Sequence, residues 1–139
     1  MSYKKSFLLI AVTTVVFMIA SCKKEDDPPS AKLVGSWKMT GYIHDNTDVY
    51  GAAIGPCIID NILTFYKDYT VTEDEGSTKC DASDMQLHTG TYKLENDNKY
   101  LTITAGEDYT TSEVLTLNTT TLKVKMIDGG DIITYTRIE

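Results

Sequence analysis

The 139-residue chain contains little of what catalytic and nucleic-acid-binding sites are usually built from. It has no G-x-S-x-G, no H-E-x-x-H and no phosphate-binding loop, which are the common signatures of hydrolases, zinc proteases and nucleotide sites. The chain has 13 basic and 20 acidic side chains, and this excess of acids disfavours nucleic acid as a partner. The acid-rich segments 45–48 and 73–76 lack the ligand ladder of an EF-hand. These gaps predict a non-enzymatic protein with no metal, no cofactor and no nucleic-acid partner.

No apolar run in the sequence is long enough for a transmembrane helix. The longest spans residues 7–20, whereas a membrane-spanning helix needs about 20 apolar residues. Lys4 and Lys5 precede this run and small residues end it, which is the pattern of a secretion signal. We therefore expect residues 1–21 to be a signal peptide.

A cysteine stands where the apolar run ends. The residues Ile19-Ala20-Ser21-Cys22 resemble the lipobox of bacterial lipoproteins. The resemblance implies that Cys22 receives a diacylglyceryl thioether, becomes the first residue and is then acylated on its amine. Two or three acyl chains, at about 0.8 kcal/mol per buried CH₂, anchor a protein to a membrane. The alternative is an ordinary signal peptide in which Cys22 is incidental.

Residues 22–31 are charged and then proline-rich, so they are expected to form a flexible tether. The acidic cluster directly after Cys22 resembles the export signal of Bacteroidetes lipoproteins. This implies an outer-membrane protein exposed at the cell surface; a plain spacer and a periplasmic location are the alternatives. Without Lys4 and Lys5, eleven basic and twenty acidic side chains remain, so the mature chain has a net charge of −9.

Removing Cys22 from the three cysteines leaves Cys57 and Cys80 as an even pair. In an oxidising compartment such a pair is expected to form a disulfide, which would contribute about 3 kcal/mol on the loop-entropy estimate. A free catalytic thiol assisted by His44 or His88 is the alternative.

Residues 32–139 are expected to form one domain of short, alternating strands separated by turn signals. No run of ten or more residues has a helical period. Short hairpins favour an all-β, up-and-down antiparallel barrel of about eight strands, because closure removes exposed edges. The predicted strands cover residues 33–43, 58–66, 69–73, 88–95, 99–105, 109–117, 121–127 and 131–138.

Alternation within these strands predicts which side chains face the barrel interior. A barrel of eight strands is either filled by side chains or holds one small ligand. The expected inward positions are Met39, Leu63, Phe65, Val71, Tyr92, Leu94, Leu101, Ile103, Leu115, Leu117, Val124, Met126 and Tyr135. The expected ligand contacts among them are Met39, Phe65, Tyr92, Met126 and Tyr135.

Several motifs from about residue 32 onward resemble the lipocalin-like lipoprotein domains of Bacteroidetes. They are Gly35-Ser36-Trp37 at the first strand, Cys57 before ILTFYKDYTVTEDEG, TKCDASD, GTYKL, a Leu-x-Leu-x-x-x-x-Leu stretch at 115–122 and a terminal ITYTRI. Lys67-Asp68-Tyr69 departs from the D-G turn that the family often has. The resemblance implies that Trp37 plugs one end of the barrel and that Arg137 covers it by a cation–π contact of about 0.5–2 kcal/mol. Direct ligand contact by these two residues is the alternative.

Two functions remain open at this point. The first is an outer-membrane lipoprotein that binds a small hydrophobic molecule inside its barrel. The second is a closed barrel whose loops bind an envelope protein or a glycan. An apolar cavity would favour the first, whereas a filled barrel with exposed aromatic side chains on the 44–57 or 74–88 loop would favour the second.

Overall fold

The computed structural model describes residues 31–139; the predicted signal peptide, Cys22 and all but the last residue of the predicted tether lie outside this range. The described chain is almost entirely β-structure, with one four-residue helix. Its elements are β1 (Gly35–His44), β2 (Thr47–Asp48), α1 (Pro56–Ile59), β3 (Ile62–Phe65), β4 (Thr70–Asp74), β5 (Leu87–Glu95), β6 (Tyr100–Ala105), β7 (Asp108–Leu117), β8 (Thr121–Met126) and β9 (Ile132–Arg137).

Eight antiparallel strands close into a barrel. From β3 to β9 each strand pairs with the next along the chain, and β1 pairs with both β3 and β9. The register places Trp37 between Leu63 on one side and Arg137 on the other. The two-residue β2 pairs antiparallel with the last two residues of β1 alone and takes no part in closing the barrel, so the predicted up-and-down barrel of about eight strands is confirmed.

The two ends of the barrel differ in their connections. The closed end is formed by residues 32–34 and the short turns 66–69, 96–99 and 118–120. The loop end is formed by residues 45–61, 75–86, 106–107 and 127–131. At the closed end Asn96, Asp97 and Asn98 all adopt positive φ, which these residue types tolerate in tight turns.

The hydrophobic core lies towards the closed end. Phe65 and Tyr92 pack edge to face with their ring centroids 5.0 Å apart, and Trp37 is fully buried beside them. Tyr69 adopts a φ of 66° in the turn that departs from the D-G pattern, and its ring lies 5.9 Å from that of Tyr92. The buried members of the core are Leu33, Trp37, Phe65, Val71, Tyr92, Leu101, Leu122 and Val124.

One predicted inward residue is wrong, and the cause is a β-bulge in β7. The pairing of β7 with β8 shifts register between Val114 and Thr116. A bulge adds one residue to the strand and changes which side chains face inward. Val114 and Leu117 therefore pack against the core, while Leu115 is 43% exposed on the outer wall.

Helix α1 begins at Pro56, within a segment partly predicted as strand. Proline suits the first turn of a helix because its missing N–H would have no partner there. No helix among residues 31–139 has both the length and the apolar character needed to cross a membrane.

Candidate functional site

The barrel interior holds a cavity of about 90 Å³ between the core and the loop end. This is smaller than the ~150 Å³ apolar cavity that binds benzene and far below the ~300–1,000 Å³ of a typical ligand pocket. The cavity therefore has room for the end of an aliphatic chain. Its lining residues are Leu63, Leu101, Ile103, Thr110, Ser112, Leu122, Val124, Met126, Ile133 and Tyr135.

Two hydroxyl groups interrupt this apolar lining. Ser112 is only 7% exposed, and its hydroxyl forms no hydrogen bond within residues 31–139. The Tyr135 hydroxyl also has no hydrogen-bond partner in that part of the chain. Burial raises the pKa of Tyr135 well above its ordinary value, and the nearby carboxylate of Glu73 raises it further. Both groups are neutral at physiological pH and are available to a polar group that enters the cavity.

Three carboxylates lie where the cavity meets the loop end, and we call Glu73, Glu75 and Asp131 the acidic collar. Alternation explains their position, because Val71 is buried on the same face as Glu73 and Glu75. Asp131 likewise lies two residues before Ile133, which lines the cavity. The side chains of Glu75 and Asp131 are only 12% and 16% exposed, whereas Glu73 is exposed.

Two members of the acidic collar contact polar side chains from neighbouring strands. His88 Nε2 lies 3.3 Å from Glu75 Oε1, and the Asn61 amide donates a 3.1 Å hydrogen bond to Glu73 Oε1. The other carboxylate oxygen of each glutamate accepts no hydrogen bond from the described residues. The collar therefore keeps free acceptors.

The third member, Asp131, joins β1 to β9. The Tyr42 hydroxyl donates a 2.6 Å hydrogen bond to Asp131 Oδ2, and His44 Nδ1 lies 2.7 Å from Asp131 Oδ1. Hydrogen bonds from Tyr42 and His44 hold the pKa of Asp131 below its ordinary value. The same carboxylate raises the pKa of His44, through the hydrogen bond first and its negative charge second. No nucleophile contacts His44 in the described part of the chain. The network therefore orients His44 and Asp131 and favours their charged forms, but it is not a catalytic triad.

A disulfide and the partly buried carboxylate of Asp60 hold the two long loops of the loop end together. Cys57 and Cys80 are bonded, with their Cα atoms 5.0 Å apart, which confirms the predicted pair. Asp60 Oδ2 accepts hydrogen bonds from the backbone and hydroxyl of Ser77 and from the backbone of Thr78. These bonds lower the pKa of Asp60, with the Ser77 hydroxyl as the largest cause. The loops beside the acidic collar are thus cross-linked twice.

At the closed end, the Arg137 guanidinium lies 4.3 Å from the centre of the Trp37 ring. It also donates hydrogen bonds to the carbonyls of Lys32, Val34, Thr119 and Glu139. The Trp37 indole N–H donates to the Leu33 carbonyl at 2.8 Å. The two residues therefore stack as the resemblance implied.

The structure separates the five expected ligand contacts into two groups. Met126 and Tyr135 line the cavity. Phe65 and Tyr92 lie within the packed core, and Met39 is buried outside the cavity lining. Sequence reasoning missed Ser112, Glu75 and Asp131. Ser112 could have been found as a polar residue at an inward-facing position of a strand, whereas Glu75 and Asp131 lie just outside the strand ends and give no such signal.

The described residues contain no group of three or more His, Cys, Asp or Glu placed to hold a metal ion. Two buried oxygens, Asp60 Oδ1 and Asn61 Oδ1, have no hydrogen-bond partner among residues 31–139. Two such ligands are fewer than the six to eight oxygens that Ca²⁺ takes.

Comparison with known proteins gives one family and one structure. The profile of the lipocalin-like domain matches residues 33–124. A solved lipocalin-like protein from Bacteroides uniformis has a similar fold, with a TM-score of 0.58 and 15% sequence identity over 77% of this chain and 99% of that one. No curated protein matches the chain. The match over residues 33–124, together with the closed eight-stranded barrel, shows that the chain belongs to the lipocalin-like domain family.

Proposed function

We propose that the protein is a non-enzymatic, lipid-anchored binding protein of the outer membrane whose barrel takes up a small molecule with an apolar chain. The single observation that carries the binding function is the apolar cavity between the core and the loop end. Lipocalin-like proteins are generally non-enzymatic, which supports binding rather than catalysis.

The size of the cavity limits how such a ligand binds. Each methylene group that enters contributes about 0.8 kcal/mol, so a short chain end alone gives weak binding. The remainder of the molecule must lie between the cavity and the loops, where polar groups can add affinity. We therefore expect a ligand with an apolar end and a polar end.

Native mass spectrometry of mature protein purified from the envelope tests this function. The expected result is a retained small molecule that is lost in Ser112→Leu, because the larger side chain fills the cavity. Thr111→Leu adds similar volume at the neighbouring, outward-facing position and should retain the ligand. A bare mass for the unaltered protein from the envelope would contradict the proposed function.

The proposed anchor is tested separately, because Cys22 lies outside the described residues. Cys22→Ser should release the protein into the soluble envelope fraction and remove the mass of the acyl chains. Protease treatment of intact cells then distinguishes surface exposure, which we favour, from the periplasmic face. An unchanged membrane fraction in Cys22→Ser would contradict the lipid anchor.

A second candidate function is favoured by exposed apolar side chains at the loop end. Three of the eight large exposed hydrophobic residues lie there, namely Ile58, Met85 and Ile127, and two more, Leu87 and Tyr109, lie in the strand ends beside it. Such side chains are typical of surfaces that contact another protein or a glycan. A photo-crosslinker at Met85, which is 66% exposed, should then give one adduct of defined mass in the native envelope. The same crosslinker at Leu115 on the outer wall is the control, and equal labelling at both positions would contradict this candidate.

A further inference from the structure

We propose that the ligand is a cation, namely a small aliphatic amine whose chain enters the cavity and whose ammonium group lies at the acidic collar. This inference rests on the proposed binding function and specifies the chemical class of the ligand. It follows from the distribution of charge around the cavity, from the free hydrogen-bond acceptors there and from the dimensions of the cavity.

The charges that face the barrel interior are separated by sign. Glu73, Glu75 and Asp131 lie at the loop-end side of the cavity, where Glu75 and Asp131 are only slightly exposed and Glu73 is exposed to solvent. Among the lysines and arginines of the described strands, Arg137 faces inward at the opposite end of the barrel. The basic groups at the collar itself are two histidines, His44 beside Asp131 and His88 beside Glu75. The Arg137 guanidinium is held by Trp37 and four backbone carbonyls and does not neutralise the acidic collar.

The surrounding loops strengthen the negative potential. The four segments of the loop end contain one basic residue, Lys79, whose ammonium donates a hydrogen bond to the carbonyl of Asp84. A recess lined by charge of one sign with low-dielectric walls concentrates ions of the opposite sign. The acids of these segments are Asp45, Asp48, Asp60, Glu75, Asp81, Asp84, Glu107, Asp128 and Asp131.

The hydrogen-bonding groups of the collar suit an ammonium group. An alkylammonium ion donates three hydrogen bonds and accepts none. Glu73 and Glu75 each keep one oxygen that accepts no hydrogen bond from the described residues, and the Tyr135 hydroxyl has a free acceptor. A carboxylate ligand would instead meet the like charges of the collar. The collar therefore selects a positive head group over a negative one.

The cavity supplies the apolar half of the site. Leu63, Ile103 and Leu122 contribute aliphatic surface to its lining, and Tyr135 belongs to the lining while lying close enough to Glu73 for that charge to raise its pKa. A chain in the cavity can thus carry its head group out to the collar past the Tyr135 hydroxyl. Ser112 offers a further hydroxyl to a polar substituent along the chain.

Isothermal titration of the mature protein with three probes of equal chain length tests the proposal. The probes are n-hexylammonium, n-hexanol and n-hexanoate, used at pH 8, where an alkylamine remains protonated. We expect hexylammonium to bind at least ten times more tightly than hexanoate and more tightly than hexanol. Raising the ionic strength from 0.02 M to 0.5 M should weaken binding of the amine alone, because salt screens the collar.

Two charge-neutralising variants test whether the preference for hexylammonium comes from the acidic collar. Glu75→Gln should lower the affinity for hexylammonium several-fold and leave the affinity for hexanol unchanged. Asp97→Asn removes one negative charge from the closed end, where asparagine suits the positive φ, and should change neither affinity. Equal losses in both variants would show that net charge alone attracts the amine and would overturn the assignment to the collar.

The outcomes separate this inference from the function on which it rests. If hexanol or hexanoate binds as tightly as hexylammonium, the cationic ligand is wrong and the binding function stands. If none of the three probes binds, the proposed binding function fails and the inference fails with it. Preferential binding of hexylammonium that is weakened by Glu75→Gln supports both.

Discussion

The closed end and the loop end of the barrel are built from the same eight strands but are stabilised in different ways. At the closed end, Trp37 and Phe65 are buried and Arg137 covers the indole ring while bonding to four carbonyls. At the loop end, the apolar core gives way to a small cavity, an acidic collar and loops joined by the Cys57–Cys80 disulfide. Packing holds one end, and covalent and polar contacts hold the other.

This difference shows how a small barrel can be stable and still leave part of its interior unfilled. Empty space and carboxylate oxygens without hydrogen-bond partners both cost stability, so they are tolerated where the rest of the structure compensates for them. Here the compensation is concentrated at the closed end. Substitutions there should affect mainly stability, whereas substitutions at the acidic collar should affect mainly binding and local titration.

The largest effect is expected from Trp37→Ala, which removes the side chain that fills the closed end. Loss of a fully buried tryptophan costs about 3–5 kcal/mol of unfolding free energy. Leu87→Ala, at a residue that is 50% exposed at the loop end, should cost less than about 0.5 kcal/mol. Urea unfolding of both variants measures the difference.

If Trp37→Ala does not fold, Trp37→Phe keeps most of the buried surface and provides the same test at smaller amplitude. Similar destabilisation by the Trp37 and Leu87 substitutions would contradict the conclusion that the closed end supplies most of the stability.

Removing the disulfide is the second largest change and acts on the loop end. The double variant Cys57→Ser with Cys80→Ser should lose about 3 kcal/mol, because the unfolded chain regains the entropy of a 23-residue separation. Hydrogen exchange should show faster exchange in residues 75–86 and unchanged protection near Trp37. Faster exchange confined to the closed end would mean that the two ends are not stabilised independently.

Arg137→Ala should have a smaller effect, about 2 kcal/mol. The variant loses a cation–π contact and leaves four carbonyls without their charged donor, although water can reach part of that surface. Arg137→Lys keeps the positive charge but loses the planar guanidinium and its several N–H donors. Its melting temperature should therefore lie between those of the unaltered protein and Arg137→Ala. An unchanged melting temperature in Arg137→Ala would show that the stack contributes nothing to stability.

The fold could be predicted from the sequence because turn residues and alternation repeat along the chain. The predicted strand 121–127, for example, matches the observed Thr121–Met126 closely, since Leu122 and Val124 alternate with two lysines. The prediction that Leu115 faces inward was wrong because a β-bulge depends on the pairing of two strands and leaves no local signal at the bulged residues. The alternation of apolar and polar residues predicts which face of a strand is buried only as long as no bulge interrupts the pairing with its neighbour.

The candidate site was predictable only in part, since it depends on where the core ends. Met126 and Tyr135 were expected to face inward and they line the cavity. Phe65 and Tyr92 also face inward, but they lie near the closed end, where side chains fill the space. The alternation within one strand predicts which side chains face inward. How far each of them lies from Trp37 at the closed end depends on how all eight strands pair. The acidic collar was missed because Glu75 and Asp131 look like ordinary loop acids in the sequence.

The smallest expected effect concerns the titration of His44 at the loop end. Asp131 raises the pKa of His44, so Asp131→Asn should lower that pKa towards its ordinary value of about 6.5. NMR titration of the His44 ring, assigned by comparison with His44→Gln, measures the shift. The closed-end variant Asp97→Asn provides the control and should leave the His44 titration unchanged. A His44 pKa that is the same in Asp131→Asn and the unaltered protein would contradict the hydrogen bond between these two residues.

The same pair predicts a pH dependence of stability whose sign follows from the two shifts. Because the folded-state pKa of His44 is raised, its contribution is fully present below about pH 6.5 and is lost as the pH rises through the raised value. Because the folded-state pKa of Asp131 is lowered, its contribution is present above about pH 4 and is lost as the pH falls through the lowered value. The difference in unfolding free energy between the unaltered protein and Asp131→Asn should therefore be largest between about pH 4 and 6.5 and should shrink above that range. A difference that is constant from pH 4 to 9 would show that Asp131 acts through Tyr42 alone, because the Tyr42 hydroxyl stays protonated and keeps its hydrogen bond to Asp131 throughout that range.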